Sequence, residues 1–228
     1  MRRHGGAEVI GRREVSRSDG FAVPGGQVYR PIDYTVPGDF SSAAFPLAAG
    51  ALTGEVSVEN LDPNDRQGDR YFLEVLKDLG AKVEWNGNGL KCSANDLSGR
   101  EIDLGDAPDL FPMVAVLCTQ AKGESRIFNA GHVRLKESDR IAATTDFLKD
   151  MGADIEETAD GCVIKGRAKL RGAAVNSFKD HRILMAAAVA AMVAEGDTMI
   201  SDGDCYRISY PDFVSDMISL GVKMEMIP

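Results

Sequence analysis

Long hydrophobic runs are missing from this sequence. The longest, Ile183 to Ala194, is closed by Arg182 and Glu195 and is too short to cross a bilayer as a helix, so no membrane partner is expected. The opening MRRHGGAEVIG carries arginines but neither an apolar stretch nor a small-residue cleavage site; no secretory signal is read there, and a cytoplasmic setting is expected. Paired cysteines are missing too. Cys92, Cys118, Cys162 and Cys205 lie far apart with no C-x-x-C, and the three histidines are scattered, which excludes a zinc knuckle or dithiol motif. The thiols are expected to be reduced and mostly buried. Positive charge is in deficit, 26 Lys and Arg against 35 Asp and Glu for a net charge of -9, which excludes nucleic acid as a partner. Any anionic ligand must then be met by a local basic cluster. What is present is 228 residues, 44% of them hydrophobic, enough to bury one large core or two small ones.

One phrase recurs along the chain: LKDLGAKVE at Leu76–Glu84, LKDMGADIE at Leu148–Glu156 and MISLGVKME at Met217–Glu225. Each reads as the last turn of a helix stopped by glycine (Gly80, Gly152, Gly221) and followed by an alternating strand such as AKVEW. Upstream of each phrase, an alanine-rich apolar helix ends in Gly54, Gly123 or Gly196 and gives way to an extended segment. Short strands, NGLKCSA and GCVIKG, fall between the units. The expected architecture is three α/β copies at about 37–98, 99–167 and 168–228.

The segment Arg2–Val9 reads as the tail of a fourth copy whose preceding elements are absent, so the chain is expected to be a fragment of a longer protein. Residues 1–36 are assigned to that remnant plus a crossover, with Gly26–Gly38 as the linker, and 37–228 to one domain.

The three apolar helices open near an acid: Asp39 in PGDFSSAAF, Asp109 in DAPDLFPM and Asp180 in KDHRILM. Asp39, Ser41 and Ser42 suit an N-cap, while helix N-termini converging on one cleft would also hold phosphates or carboxylates without a metal. The densest charged cluster, HVRLKESDRIAA, places Arg134, Lys136, Glu137, Asp139 and Arg140 just before a helix. Lys136 and Arg140 share a face if that helix begins early, although most charge runs of this kind are only solvated surface.

Together these residues carry a resemblance. RLKESDR (Arg134–Arg140) is similar to the R-[VL]-K-E-[ST]-D-R motif of the 5-enolpyruvylshikimate-3-phosphate synthase family, DHR (Asp180–Arg182) to its D-H-R, and PGDFSSAAFPLAA to its G-D-x-S-S segment. Pro108–Asp109 and SYPDF at Ser209–Phe213 extend the match over essentially the whole chain. The resemblance implies an α/β (α+β) domain of three βαβαββ units with helices inside and sheets outside. It implies the C-terminal domain of a two-domain enzyme, monomeric when complete, whose partner is the missing N-terminal domain. The implied reaction adds the 5-hydroxyl of shikimate 3-phosphate to C2 of phosphoenolpyruvate and then eliminates phosphate, with no cofactor and no metal.

By motif position, the resemblance makes Asp109 the acceptor of the hydroxyl proton and a holder of the shikimate ring. Lys136 is a catalytic contact to shikimate 3-phosphate, and Glu137 the group that moves the C3 proton. Arg140 and Arg182 clamp phosphoenolpyruvate, arginine's planar fork suiting carboxylate and phosphate. His181 is a weaker candidate ligand. Two departures stand out. Ile208 occupies a position where some members carry a phosphoenolpyruvate-binding lysine, and His132 stands where others place a different polar residue against shikimate 3-phosphate. The alternatives are half of a UDP-N-acetylglucosamine enolpyruvyl transferase or a non-catalytic repeat module.

Overall fold

A computed structural model of the chain describes residues 23–227 except 29 and 88. The fourth-copy tail at Arg2–Val9 therefore lies outside the described residues. Residues 23–36 belong to a unit of their own and, where described, carry no regular element, while Pro37 onward makes one compact unit.

That unit runs α1 (Phe40–Thr53), β1 (Glu55–Glu59), α2 (Phe72–Leu79), β2 (Lys82–Asn86) and β3 (Gly89–Ser93). It continues with β4 (Glu101–Asp103), α3 (Phe111–Gln120), β5 (Gly123–Phe128), α4 (Arg140–Asp150), β6 (Asp154–Thr158) and β7 (Gly161–Gly166). It closes with β8 (Ala174–Val175), α5 (His181–Ala191), β9 (Met199–Ile200) and α6 (Phe213–Ser219). The middle unit is complete, β-α-β-α-β-β, and its sheet has the order β4-β5-β7-β6, with β4 parallel to β5 and the remaining pairs antiparallel. The first unit shows the corresponding β1-β3-β2, and the third only the parallel pair β8-β9.

The alanine-rich helices read as they do because they have no solvent face. α3 is buried at every position from Phe111 to Thr119, and α1 and α5 are nearly so. The three pack on one another at the centre, with α1 lying on β1 and β3 and α3 on β5 and β7. Small side chains let the backbones approach. The second helix of a unit is amphipathic instead: α2 buries Phe72, Leu73, Val75, Leu76 and Leu79 and exposes Glu74, Lys77 and Asp78.

The glycine stops are alike in all three copies. Gly80, Gly152 and Gly221 have φ of 109°, 90° and 95°, and the amide after each returns to a carbonyl five residues back: Ala81 to Leu76, Ala153 to Leu148, Val222 to Met217. This is the hydrogen-bond closure of a glycine-terminated helix. The upstream glycines are less uniform, since Gly54 is extended at φ 171° whereas Gly123 and Gly196 are left-handed at 92° and 88°.

The strand expected after Gly221 does not form. β2 and β6 are each held by the hairpin strand that follows them, β3 and β7, and no described segment plays that part for residues 222–227. Backbone groups without a neighbouring ladder make no strand.

Candidate active site

Ahead of α4 the motif does not continue as helix. Gly131–Leu135 is a 3-10 turn, Lys136 ends it in extended conformation, and Asp139 then caps α4 by accepting from the Ala142 amide at 3.1 Å. Lys136 and Arg140 therefore share no helical face; the early start that would have aligned them does not occur. Arg134 is a strut. Its guanidinium bonds Asp139 (2.8 Å), Glu157 (2.7 Å) and the Thr158 and Ala159 carbonyls, fastening the turn to the β6–β7 hairpin.

Arg140 is the centre of the cluster. Its side chain is 1% exposed, a position a charge tolerates only when its hydrogen bonds are met. Nε and Nη2 donate to the two oxygens of Asp180 at 2.8 and 3.2 Å, Nη1 donates to Asp109 at 2.7 Å, and Nη2 also donates to Glu137 Oε2 at 2.6 Å. Asp109 gathers cations from two other places, Lys136 Nζ at 3.2 Å and Arg182 Nη2 at 3.2 Å. Three cations thus face three carboxylates.

The acids differ in character. Burial works against the charge of Asp109, but Arg182, Arg140 and Lys136 together outweigh it and hold its carboxyl below the usual carboxylate range. Asp180, wholly buried, is desolvated likewise, and its hydrogen bonds from Arg140, the Arg182 amide and Ser138 bring its carboxyl below the usual range too. Asp180 also caps α5, so one side chain both starts that helix and anchors Arg140. Burial raises the carboxyl of Asp69, which accepts from the Ser41 hydroxyl and feels the charges of Arg182 and Asp109.

The sequence profile of "EPSP synthase (3-phosphoshikimate 1-carboxyvinyltransferase)" matches residues 4–217. The chain belongs to the EPSP synthase family. A 3-phosphoshikimate 1-carboxyvinyltransferase of Methanocorpusculum labreanum is 49% identical over 99% of this chain, and one of Methanococcus maripaludis is 44% identical over 96%. The chain spans about half the length of these relatives, 52% and 51%. The EPSP synthase of Acinetobacter baumannii superposes with a TM-score of 0.73 at 28% identity, covering 85% of this chain and 48% of that one. An enolpyruvyl transferase of Streptomyces tendae, at 18% identity and a TM-score of 0.68, shows the fold alone.

In this member of the EPSP synthase family, Asp109, Lys136, Glu137, Arg140 and Arg182 converge in one cluster, although they come from three separate segments. His181 sits beside it at 5% exposure, its Nδ1 without a hydrogen-bond partner among the described residues. Burial first, and then Arg182, push its imidazole below the ordinary histidine range, so it is neutral at pH 7. His132 is exposed on the 3-10 turn, outside the ion-pair network. Ile208 is exposed, and the neighbouring Arg207 is drawn to Asp204 at 3.3 Å and over the Tyr206 ring. Among the described residues no group of acids, histidines or cysteines could hold a metal, and no helix is long and apolar enough to cross a membrane.

In the sequence Asp180 stands out only as a cap and motif residue, and Asp69 does not stand out at all. A caps-only reading of an acid gives no hint of a guanidinium brought from 40 residues away. In Gln67-Gly68-Asp69 no spacing marks an acid for burial.

The approach to Asp180 is strained. Phe178 and Lys179 both have left-handed backbones, φ 54° and 57°, held by Asn176 Oδ1 on the Phe178 amide and Ser177 Oγ on the Lys179 amide. Side chains at such angles cost about 1 kcal/mol each. Lys179→Gly is expected to stabilise the fold by about 0.5–1 kcal/mol, read as a higher urea midpoint at unchanged slope. A lower midpoint would show that the Lys179 side chain contributes more than its backbone costs.

Proposed function

We propose that this chain supplies one wall of a cleft that transfers the enolpyruvyl group of phosphoenolpyruvate to the 5-hydroxyl of shikimate 3-phosphate, releasing phosphate. The observation that carries the reading is Asp109, a carboxylate contacted by Lys136, Arg140 and Arg182 from the two family motifs. In this reading the hydroxyl oxygen bonds C2 of phosphoenolpyruvate as its proton passes to Asp109, and C3 accepts a proton from Glu137, which has taken that proton from solvent. The C2–O bond to phosphate then breaks as C3 returns a proton to Glu137, and the proton on Asp109 leaves with the phosphate. Asp109 is a weak base beside three cations; bound phosphate and carboxylate draw those cations off and raise its basicity. Arg182 and Arg140 take the anionic groups of phosphoenolpyruvate, Lys136 those of shikimate 3-phosphate, with His181 and His132 as secondary contacts.

The second wall is assigned to the part of the relatives that this chain does not match, and residues up to 36 to the connection with it. Buried, unpaired Cys92, Cys118 and Cys162 accord with a cytoplasmic setting. The alternative substrate, UDP-N-acetylglucosamine, is disfavoured by RLKESDR and DHR together and by relatives at 44–49% identity.

The test joins this chain to the unmatched part of the M. labreanum relative and measures phosphate release from phosphoenolpyruvate. Release is expected with shikimate 3-phosphate and not with the UDP-sugar; the opposite preference would overturn the assignment. The 228 residues alone are expected to show no turnover, because a half-built cleft leaves the phosphates in water. Turnover by the chain alone would show that its own cluster is a complete site.

A further inference from the structure

We infer that Glu137 is a built-in stand-in for the substrate carboxylate: it takes one N–H of Arg140, and an incoming carboxylate displaces it and so frees it for work at C3. The inference rests on the reading above of Arg140 as a carboxylate ligand.

The three acids around Arg140 are not equivalent. Asp180 is 0% exposed and takes two N–H groups, one from Nε and one from Nη2, while also accepting from the Arg182 amide at 2.9 Å and the Ser138 hydroxyl at 2.9 Å. It cannot leave without stranding a buried guanidinium. Asp109 is held by three cations at once. Among the described residues Glu137 has only Arg140, through one oxygen, and its side chain is 46% exposed. Only the carboxylate of this pair is half-solvated, and its release is the least costly of the three once another anion takes the Nη2–H that it leaves on the buried guanidinium.

The charges point the same way. Lys136, Arg140 and Arg182 are balanced by Asp109, Glu137 and Asp180, so the cluster is neutral and has no excess positive charge for an anion. A substrate carboxylate that takes the Nη2–H now given to Glu137 keeps Arg140 satisfied and exchanges one anion for another. The exchange has a chemical consequence. While Oε2 accepts from Arg140, the side chain is held at the guanidinium and only Oε1 remains to carry a proton to or from carbon. The same event that seats phosphoenolpyruvate thus releases the whole carboxyl group to turn toward C3.

The test is the affinity of the 228-residue chain for phosphoenolpyruvate at low ionic strength, by calorimetry, in the native sequence, Glu137→Gln and Glu157→Gln. The last removes one carboxylate from the neighbouring Arg134 strut and controls for net charge. Glu137→Gln is expected to bind roughly five-fold tighter, because a neutral amide competes poorly for Arg140. Pyruvate, which has the carboxylate without the phosphate, is expected to show the same ratio. Glu157→Gln is expected to change affinity less than two-fold. Weaker or unchanged binding by Glu137→Gln, an equal gain in Glu157→Gln, or no binding by any of the three would overturn the inference. If tightening is found but the joined protein transfers no enolpyruvyl group, the functional reading fails and the exchange at Arg140 stands.

Discussion

Glu137→Gln in the joined protein lowers kcat by about 10²–10⁴, the range for losing a positioned acid–base group. The amide keeps the size of the side chain and can still orient near Arg140, so affinity for shikimate 3-phosphate is expected to change little. The loss belongs to the chemical step and should appear in a single turnover, where product release plays no part. Weak catalysis with tighter phosphoenolpyruvate binding is the combination that a merely structural partner of Arg140 would not give. Near-normal single-turnover rates would reduce Glu137 to such a partner.

Asp180→Ala destabilises the domain by about 3–5 kcal/mol, because it leaves the Arg140 guanidinium buried with two of its hydrogen bonds unmet. For a unit of this size the loss corresponds to roughly 10 °C in Tm. Part of it, about 1 kcal/mol, is the lost cap of α5. The pH dependence follows from the direction of the shift. The folded-state pKa of Asp180 lies below its unfolded value, so its contribution is fully present above about pH 4 and is lost as pH falls through the folded value. The stability gap between the native sequence and the variant should therefore narrow below about pH 4. A gap under 1 kcal/mol at pH 7, or one that stays constant into strong acid, would mean that Arg140 finds another partner. Asp69 runs the other way. Its raised carboxyl favours the folded state most below about pH 4, and that benefit is lost as pH rises through the folded value.

The helix–glycine–strand phrase was legible because it rests on local chemistry. Only glycine closes the end of α2 at φ 109°, and alternation then places Val83 inward. The same local signal failed at VKME after Gly221, since a strand is completed by a neighbour and alternation cannot say whether one is there. The alanine-rich segments gave their helices but not their role at the centre; that follows from three of them meeting, which no one of them encodes. In the site, RLKESDR and DHR marked the right residues by resemblance, while spacing alone left surface and site undecided. Which acid would hold Arg140 was beyond both. Asp180 and Arg140 are brought together by the packing of α4 on α5, and burial turns an ordinary cap into the fixed counter-charge of the cluster.

The central claim is that this cluster handles a proton at C3 during transfer, and it is tested most directly by running the joined protein in deuterium oxide with shikimate 3-phosphate. Because C3 takes a proton and later returns one, the product methylene is predicted to carry deuterium, seen by NMR, together with released phosphate. A product with no deuterium at C3, or no phosphate release at all, would contradict the account.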